Sequence, residues 1–308
     1  MVEPVHSDVP PLVTVAMPIY NAGKYLRLAV LSIVKQTFTD WELLIIDDGS
    51  TDNALQDITD IDDVRIRILR DGVNKGLAAR LNECIDLARG KYIARMDQDD
   101  VSYPERFECQ IDALKNDPLL DMVAARALAI SSDDQAIGLF SYIRTHKEIC
   151  ARPWVGFYLP HPTWMGKTSW FRVYRYTLPG SFYSEDMDFL LRSYRTSRFG
   201  MVPEVLFAYR VRKDIVWQKQ LKARKAVFRI QLQAFSRGHQ WNFVCLATSV
   251  LIIRLVSDGV RIAKQSMQIP SRRFEAVPDN VRKGWSKTKE QLLKYDNELK
   301  AILAKDNG

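Results

Sequence analysis

The 308-residue chain holds four cysteines, Cys84, Cys109, Cys150 and Cys245, widely spaced and with no CxxC pair. That scarcity argues against a disulfide framework or a zinc site and leaves reduced, partly buried thiols. The opening stretch MVEPVHSDVPP has neither a basic n-region nor an apolar h-region, so no secretory signal is read and a cytoplasmic location is expected. The most apolar stretch of the C-terminal region is uncharged only over Trp241–Ile253, 13 residues where about 20 are needed to span a bilayer. Internal repeats and low-complexity tracts are also absent.

What is present suits a folded globular protein with one large domain or two small ones: 47% of residues are hydrophobic and 26% charged. The net charge of +7 is unevenly spread. Arg210 to Gly308 carries 21 Lys and Arg against 8 Asp and Glu, net +13, and the rest of the chain comes to −6. An acidic body with a basic tail points to a polyanionic partner for the tail, nucleic acid or an anionic membrane surface.

The pattern along the chain alternates. LVTVAMPIY opens with a strand over Leu12–Met17 that Pro18 should stop, and Lys24–Gln36 sets an apolar helical stripe. WELLIID, ending at Asp47, is a nearly continuous apolar strand, as expected where both faces are covered, and runs into the turn DGSTD. Val64–Leu69 alternates as a strand, Gly76–Ala88 reads as a helix, KYIARM ends a fourth strand at Met96, a helix follows near Pro104–Lys115, and Met122–Ile130 makes a fifth strand. Such βαβ units predict an α/β fold, a largely parallel sheet flanked by helices with its ligand crevice beyond the strands' carboxyl ends. Asp47/Asp48 and Asp97/Asp99 stand at two such ends, so both acidic clusters should face one cleft. Residues 131–210 lose the rhythm and are rich in Trp, Tyr, Phe and Pro, which suits a region that shapes a substrate pocket; beyond Arg212 the pattern is helical and basic.

Strand alternation predicts that Asp97 and Asp99 point the same way. Two neighbouring carboxylates repel unless a cation lies between them, and Mg²⁺ is held by one or two carboxylates, waters and diphosphate oxygens. Asp100 or Ser102 is expected to cap the helix that begins at Pro104.

Three stretches in order, VTVAMPIYNAGKYLRLAVLSIVKQTFTDWELLIIDDGSTD, NKGLAARLNECIDLARGKYIARMDQDD and SEDMDFLLR, resemble the family 2 glycosyltransferases of GT-A (Rossmann-like) fold over roughly residues 12–210, and the HP of YLPHPTWMGK matches a pair common in that family. The resemblance implies a metal-dependent, inverting enzyme that moves a sugar, a hexosyl group by expectation, from a nucleotide-diphosphate donor to an acceptor hydroxyl in surface polysaccharide or lipid-linked oligosaccharide synthesis. It implies that Pro18 and Tyr20 line the base pocket, that Asp48 accepts a hydrogen bond from a uracil-like imide, and that Asn74, Lys75 and Gly76 form a loop near the nucleotide. It places Asp97 near the ribose and Asp99 on the divalent cation, Mg²⁺ or Mn²⁺. Asp186 becomes the general base, Glu185 an acceptor-orienting acid, and His161 either an acceptor-side or a structural histidine. Where many relatives carry YRxH, this chain has AYRVR, with Arg212 in place of the histidine; arginine binds phosphate but does not ligate a cation.

The expected organisation is an N-terminal extension (1–11), a catalytic domain (12–212) with a nucleotide-sugar half (12–130) and an acceptor half (131–212), and a helical basic tail (213–308). The tail, with Lys222, Arg224, Lys225 and Arg229 interleaved with apolar residues, is expected to associate peripherally with the anionic inner face of the cell membrane. Three competing readings are a sugar-1-phosphate nucleotidyltransferase, a nucleic-acid-binding protein acting through the tail, and a catalytically dead sugar-binding module, against which the intact Asp97–Asp99 and Glu185–Asp186 motifs weigh. The first needs a Gly-rich phosphate loop, and AMPIYNAGKYL has one glycine; the second needs a recognition motif that the tail lacks, so no nucleic-acid partner is expected.

Overall fold

The apolar runs at the start of the chain form neighbouring buried strands. β1 (Val13–Ile19) and β2 (Trp41–Asp47) are buried along their whole lengths, because helices cover both faces of the sheet they build. Between them α1 (Leu26–Val34) buries Leu26, Ala29, Val30 and Ile33 against the same core as Val15, Met17 and Leu43. β3 (Ile66–Arg70), α2 (Leu77–Leu87) and β4 (Tyr92–Arg95) complete the first half. β5 (Val101–Ser102), α3 (Arg106–Asn116), β6 (Met122–Ile130), β7 (Ala136–Leu139) and α4 (His146–Ile149) follow, then β8 (Met165–Lys167), α5 (Thr168–Tyr174), α6 (Glu185–Ser193) and β9 (Phe199–Arg210). Three helices end the chain, α7 (Trp217–Arg237), α8 (Trp241–Ser266) and α9 (Asp279–Asp306). This computed structural model describes residues 9–180, 184–211, 217–266 and 274–306.

The strands make one sheet in the order β3-β2-β1-β4-β8-β6-β9-β5, with β7 on β6. β3, β2, β1 and β4 run parallel. β8 enters antiparallel between β4 and β6, and β6 and β9 are again parallel. The expected α/β architecture and the strand at Met122–Ile130 are present. The third strand is shifted by two residues from Val64 to Ile66 at its start, because Val64 lies in the turn and is exposed.

Two local expectations are corrected. Pro18 does not stop β1: it is buried in the strand and aligned with Ile46 of β2. The β1–β4 ladder ends at the Ala16–Arg95 pair, so Pro18 lies past the point where a missing N–H would break it on that side. Asp100 and Ser102 do not cap α3, whose N-cap is Glu105, without a side-chain cap bond. Asp100 is committed to Arg210 N at 2.7 Å, and Ser102 Oγ accepts from Gln36 Nε2 at 3.0 Å.

The C-terminal helices pack onto this sheet assembly. Trp285 and Leu292 of α9 are buried with Leu31, Val101 and Tyr103. Phe235 of α7 and Ala247 of α8 close over Met187 and Leu191 of α6.

Candidate active site

The ends of β2 and β4 meet on either side of the end of β1. Asp48 N donates to Ile19 O at 2.8 Å. On the opposite side the Gln98 side chain grips the Tyr20 backbone twice: Tyr20 N donates to Gln98 Oε1 at 2.6 Å, and Gln98 Nε2 donates to Tyr20 O at 3.0 Å. Asn21 N donates to Ser50 Oγ at 3.0 Å, and Asn21 Oδ1 accepts from Thr51 N at 2.8 Å, which ties the loop after β1 to the DGSTD turn. The two acidic turns therefore flank one loop, and Tyr20 stands out from it, 48% exposed.

Asp48 is buried and organises the neighbouring loop. Its Oδ1 accepts from Lys75 N (2.7 Å) and Arg80 Nε (2.9 Å), and its Oδ2 accepts from Gly76 N (3.0 Å). A carboxylate offers about four acceptor positions, so one remains. Gly49, at φ +75°, lets the turn approach: a Cβ there would meet Asn74 N at 3.0 Å. Arg80 is almost wholly buried and also holds Asp71 and Glu83.

The Asp97–Asp100 turn departs from strand geometry. β4 ends at Arg95 and the chain turns at Gln98–Asp99, so the alternation expected to align Asp97 with Asp99 does not extend to them. Asp97 Oδ1 pairs with Arg95 Nη2 at 2.9 Å. Asp99 is half-buried, and its carbonyl oxygen accepts from Arg210 Nε at 2.7 Å. Burial, then repulsion from Asp97 and Asp99, holds the Asp100 carboxyl well above the usual carboxylate range. Asp100 Oδ2 has no hydrogen-bond partner.

The acids of the second half approach from α6. Glu185 and Asp186 form its first turn, where helix-end N–H groups and the macrodipole favour negative charge. Asp186 Oδ1 accepts from Met187 N at 2.8 Å. Burial pushes the Asp186 carboxyl above the ordinary aspartate value, and burial with repulsion from Asp186 does the same for Glu185. His161 Nε2 and the Tyr176 hydroxyl are hydrogen-bonded at 2.7 Å, and the ring meets Trp164 edge-on. Burial, then the charge of Arg95, drives the His161 pKa well below its usual value. The ring is neutral and packed among aromatic neighbours, Trp164 and Tyr176.

Sequence reasoning overlooked the group that joins these sets. Arg95 is 3% exposed, and its Nε and Nη1 have no hydrogen-bond partner. Its positive charge lowers the carboxyl pKa values of both Glu185 and Asp186, while one terminal nitrogen binds Asp97. The available signal was an arginine inside the otherwise apolar run KYIARM. Gln98, Arg80 and Arg210 were also missed, since each acts through a partner distant in sequence. Arg212 lies outside the described residues. Among the described residues no three His, Cys, Asp or Glu side chains gather as a ready-made metal cage. A groove of about 840 Å³ lies between Asp134–Ala136 and α9, and none of Asp48, Asp97, Asp99, Glu185 or Asp186 lines it.

A mostly parallel sheet, flanked by helices and with acidic turns at its carboxyl edge, is the GT-A arrangement, and solved structures share it. S. aureus TarS in complex with UDP superposes with a TM-score of 0.57 at 17% identity, covering 75% of this chain and 69% of that one. The mannosyltransferase PcManGT from Pyrobaculum calidifontis, in complex with GDP-Man and Mn²⁺, superposes with a TM-score of 0.57 at 13% identity, covering 93% and 88%. Residues 14–175 match the family described as Glycosyl transferase family 2, and the chain belongs to that family of enzymes. Among curated relatives, the E. coli UDP-Glc:alpha-D-GlcNAc-diphosphoundecaprenol beta-1,3-glucosyltransferase WfgD is 39% identical over 106 residues, 34% of this chain and 42% of that protein. The chain spans about two-fifths of the length of the first relatives it matches.

Proposed function

We propose that this chain transfers a hexosyl group from a nucleotide-diphosphate sugar to an acceptor hydroxyl, with inversion at the anomeric carbon and with a divalent cation. The observation that carries the reading is the pairing of two acid sets around Arg95: Asp97 by an ion pair, Glu185 and Asp186 through its field. One set belongs to the donor side and the other to the acceptor side of a single cleft.

On the donor side the exposed Tyr20 ring stacks on the base, on a loop held by Gln98. Pro18, buried near the end of β1, lines the same base pocket where that strand ends. The fourth acceptor position of Asp48 meets an imide N–H, and Asp97 meets a ribose hydroxyl. The turn fits Mg²⁺ or Mn²⁺: its donors are hard oxygens, and repulsion from Asp97 and Asp99 reaching the buried Asp100 is what a cation relieves. Asp99 would hold that cation, and waters and diphosphate oxygens would complete its shell. When bound, the cation offsets charge on the departing diphosphate.

On the acceptor side Asp186 takes the proton from the attacking hydroxyl, and Glu185 orients that hydroxyl. Burial raises the Asp186 pKa, which makes it a stronger base, while the Arg95 charge works to keep it ionised. His161 supports the Tyr176 side of the cleft as a neutral ring. The relative WfgD is named for action on a diphosphoundecaprenol-linked sugar, which favours a lipid-linked acceptor here, at the inner face of a membrane, in surface polysaccharide or lipid-linked oligosaccharide synthesis.

The test is turnover of a panel of UDP- and GDP-sugars by the full chain, with Mn²⁺, with Mg²⁺ and in excess chelator. Cation-dependent release of a nucleoside diphosphate is expected. Full turnover in chelator, or no turnover of any donor under any condition, contradicts the reading.

A further inference from the structure

The α7–α8 hairpin presents two unlike surfaces to solvent. The inner side of α8 is fixed to the protein. Phe243 packs on Trp154 and Phe235, with ring centroids 4.7 and 5.4 Å apart, and Ala247 is buried beside them. The two charged residues within Trp241–Val260 also face inward: Arg254 Nη2 donates to Val155 O at 2.6 Å, and Asp258 accepts from Arg224 Nε of α7 at 3.0 Å. With those charges inside, the outer face carries none. Trp241, Leu246, Ile252, Ile253, Val256 and Val260 stand on it, Ile253 and Val256 more than 60% exposed.

α7 is built the opposite way. Gln220, Arg224, Val227, Gln231 and Phe235 follow one inward stripe, while Lys219, Lys222, Lys225, Arg229 and Arg237 are exposed on the other side. Apolar and basic outward faces thus lie on two helices packed together and seated on α6, whose first turn carries Glu185 and Asp186.

We propose that the α7–α8 hairpin is an in-plane dock for an anionic phospholipid bilayer, with the uncharged face of α8 among the acyl chains and the basic face of α7 on the headgroups. Charge complementarity selects this occupant. A second copy of the chain would bring five exposed basic residues against the same five, whereas an anionic leaflet attracts them. By length and composition Trp241–Val260 is long enough to cross a bilayer, beyond the 13-residue run counted from sequence. Crossing would remove Arg254 from Val155 O and Asp258 from Arg224, so the helix lies flat. The proposal rests on the transferase reading only in its consequence: a lipid-linked acceptor would meet the cleft one helix layer away from the docking face.

The test is flotation of the full chain with vesicles of phosphatidylglycerol and phosphatidylcholine, or of phosphatidylcholine alone, with nucleotide-diphosphate binding measured in parallel to show that each variant is folded. The chain should float with the anionic vesicles, less at high salt, and should leave them in alkaline carbonate. Replacing Lys222, Lys225 and Arg229 by Gln should weaken that partitioning on the order of 100-fold, about fivefold per charge. Ile253→Asp should weaken it on both vesicle types. Wild type that stays at the bottom with anionic vesicles, variants that float like wild type, retention through carbonate, or a dimer dissolved by Ile253→Asp would each overturn the proposal. Flotation without any donor turnover would keep the dock and refute only the transferase reading.

Discussion

Arg95 acts on both acid sets from one position. Buried guanidinium groups persist where anions compensate them, and here one terminal nitrogen holds Asp97 while the charge also acts on Glu185 and Asp186. The field of Arg95 pulls the Asp186 pKa down while burial pushes it up, and burial wins. A general base works in its deprotonated form, so activity is lost as pH falls through that raised pKa, and the acid limb of kcat/KM should lie above the ordinary aspartate value of about 3.9. Arg95→Met removes the downward pull, so the limb should move to higher pH and affinity for the nucleotide diphosphate should fall through Asp97. Arg95→Lys should restore part of both. A pH profile of the Met variant that overlays the wild type would remove Arg95 from this role. The motifs at Asp48, Asp97–Asp99 and Glu185–Asp186 were legible as short strings. The partners that give them their environment were not, because nothing in a string records that Arg80 reaches back to Asp48 or that Gln98 binds the Tyr20 backbone.

Between elements, the end of β9 acts as a wedge behind the acidic turn. Arg210 donates from N to Asp100 Oδ1 (2.7 Å), from Nε to Asp99 O (2.7 Å) and from Nη1 to Asp134 Oδ1 (2.7 Å), with its guanidinium 4.2 Å from the Tyr25 ring centre. Asp134 is held in turn by α9, through Lys289 Nζ at 2.9 Å and by Trp285 Nε1 donating to its carbonyl at 2.8 Å. A helix near the end of the chain is therefore linked to the turn at Asp99 through three contacts. Asp134→Ala should loosen that turn and weaken cation-dependent nucleotide affinity about tenfold, close to the value of one hydrogen bond to a charged group, ~1.5 kcal/mol. Trp285→Ala should lower stability by about 3–5 kcal/mol, because it also empties a buried site against Tyr103. Calorimetry of nucleotide binding and denaturant unfolding measure the two effects separately, and unchanged affinity in Asp134→Ala would break the link. Strand and helix types in the first half were readable from period and burial. The Pro18 and Asp100 readings failed because each depends on a neighbouring ladder or strand end rather than on local propensity.

At the scale of the molecule, the carboxyl edge of the sheet carries the turns at Asp48 and Asp97–Asp100, and Glu185 and Asp186 begin α6 within the field of Arg95. The basic C-terminal region is in part core and in part exposed surface: Trp285 and Leu292 fill a cluster beneath β5, whereas the outer face of α8 is open. Composition separated the acidic body from the basic tail but held no information on which tail residues pack inward; the 3.6-residue stripes of α7 and α8 acquire that meaning only once α6 is in place. The division of labour between the two acid sets is the central claim, and one paired titration tests it. A nucleoside diphosphate with Mn²⁺ is titrated into wild type, Asp99→Asn and Asp186→Asn, and turnover of the donor selected from the sugar panel is measured alongside. Asp186→Asn should bind as wild type does and lose on the order of 10²–10⁴ in rate, while Asp99→Asn should lose cation-dependent binding and turnover together. If Asp186→Asn loses affinity along with rate, or Asp99→Asn retains both, the acids do not divide the site in this way.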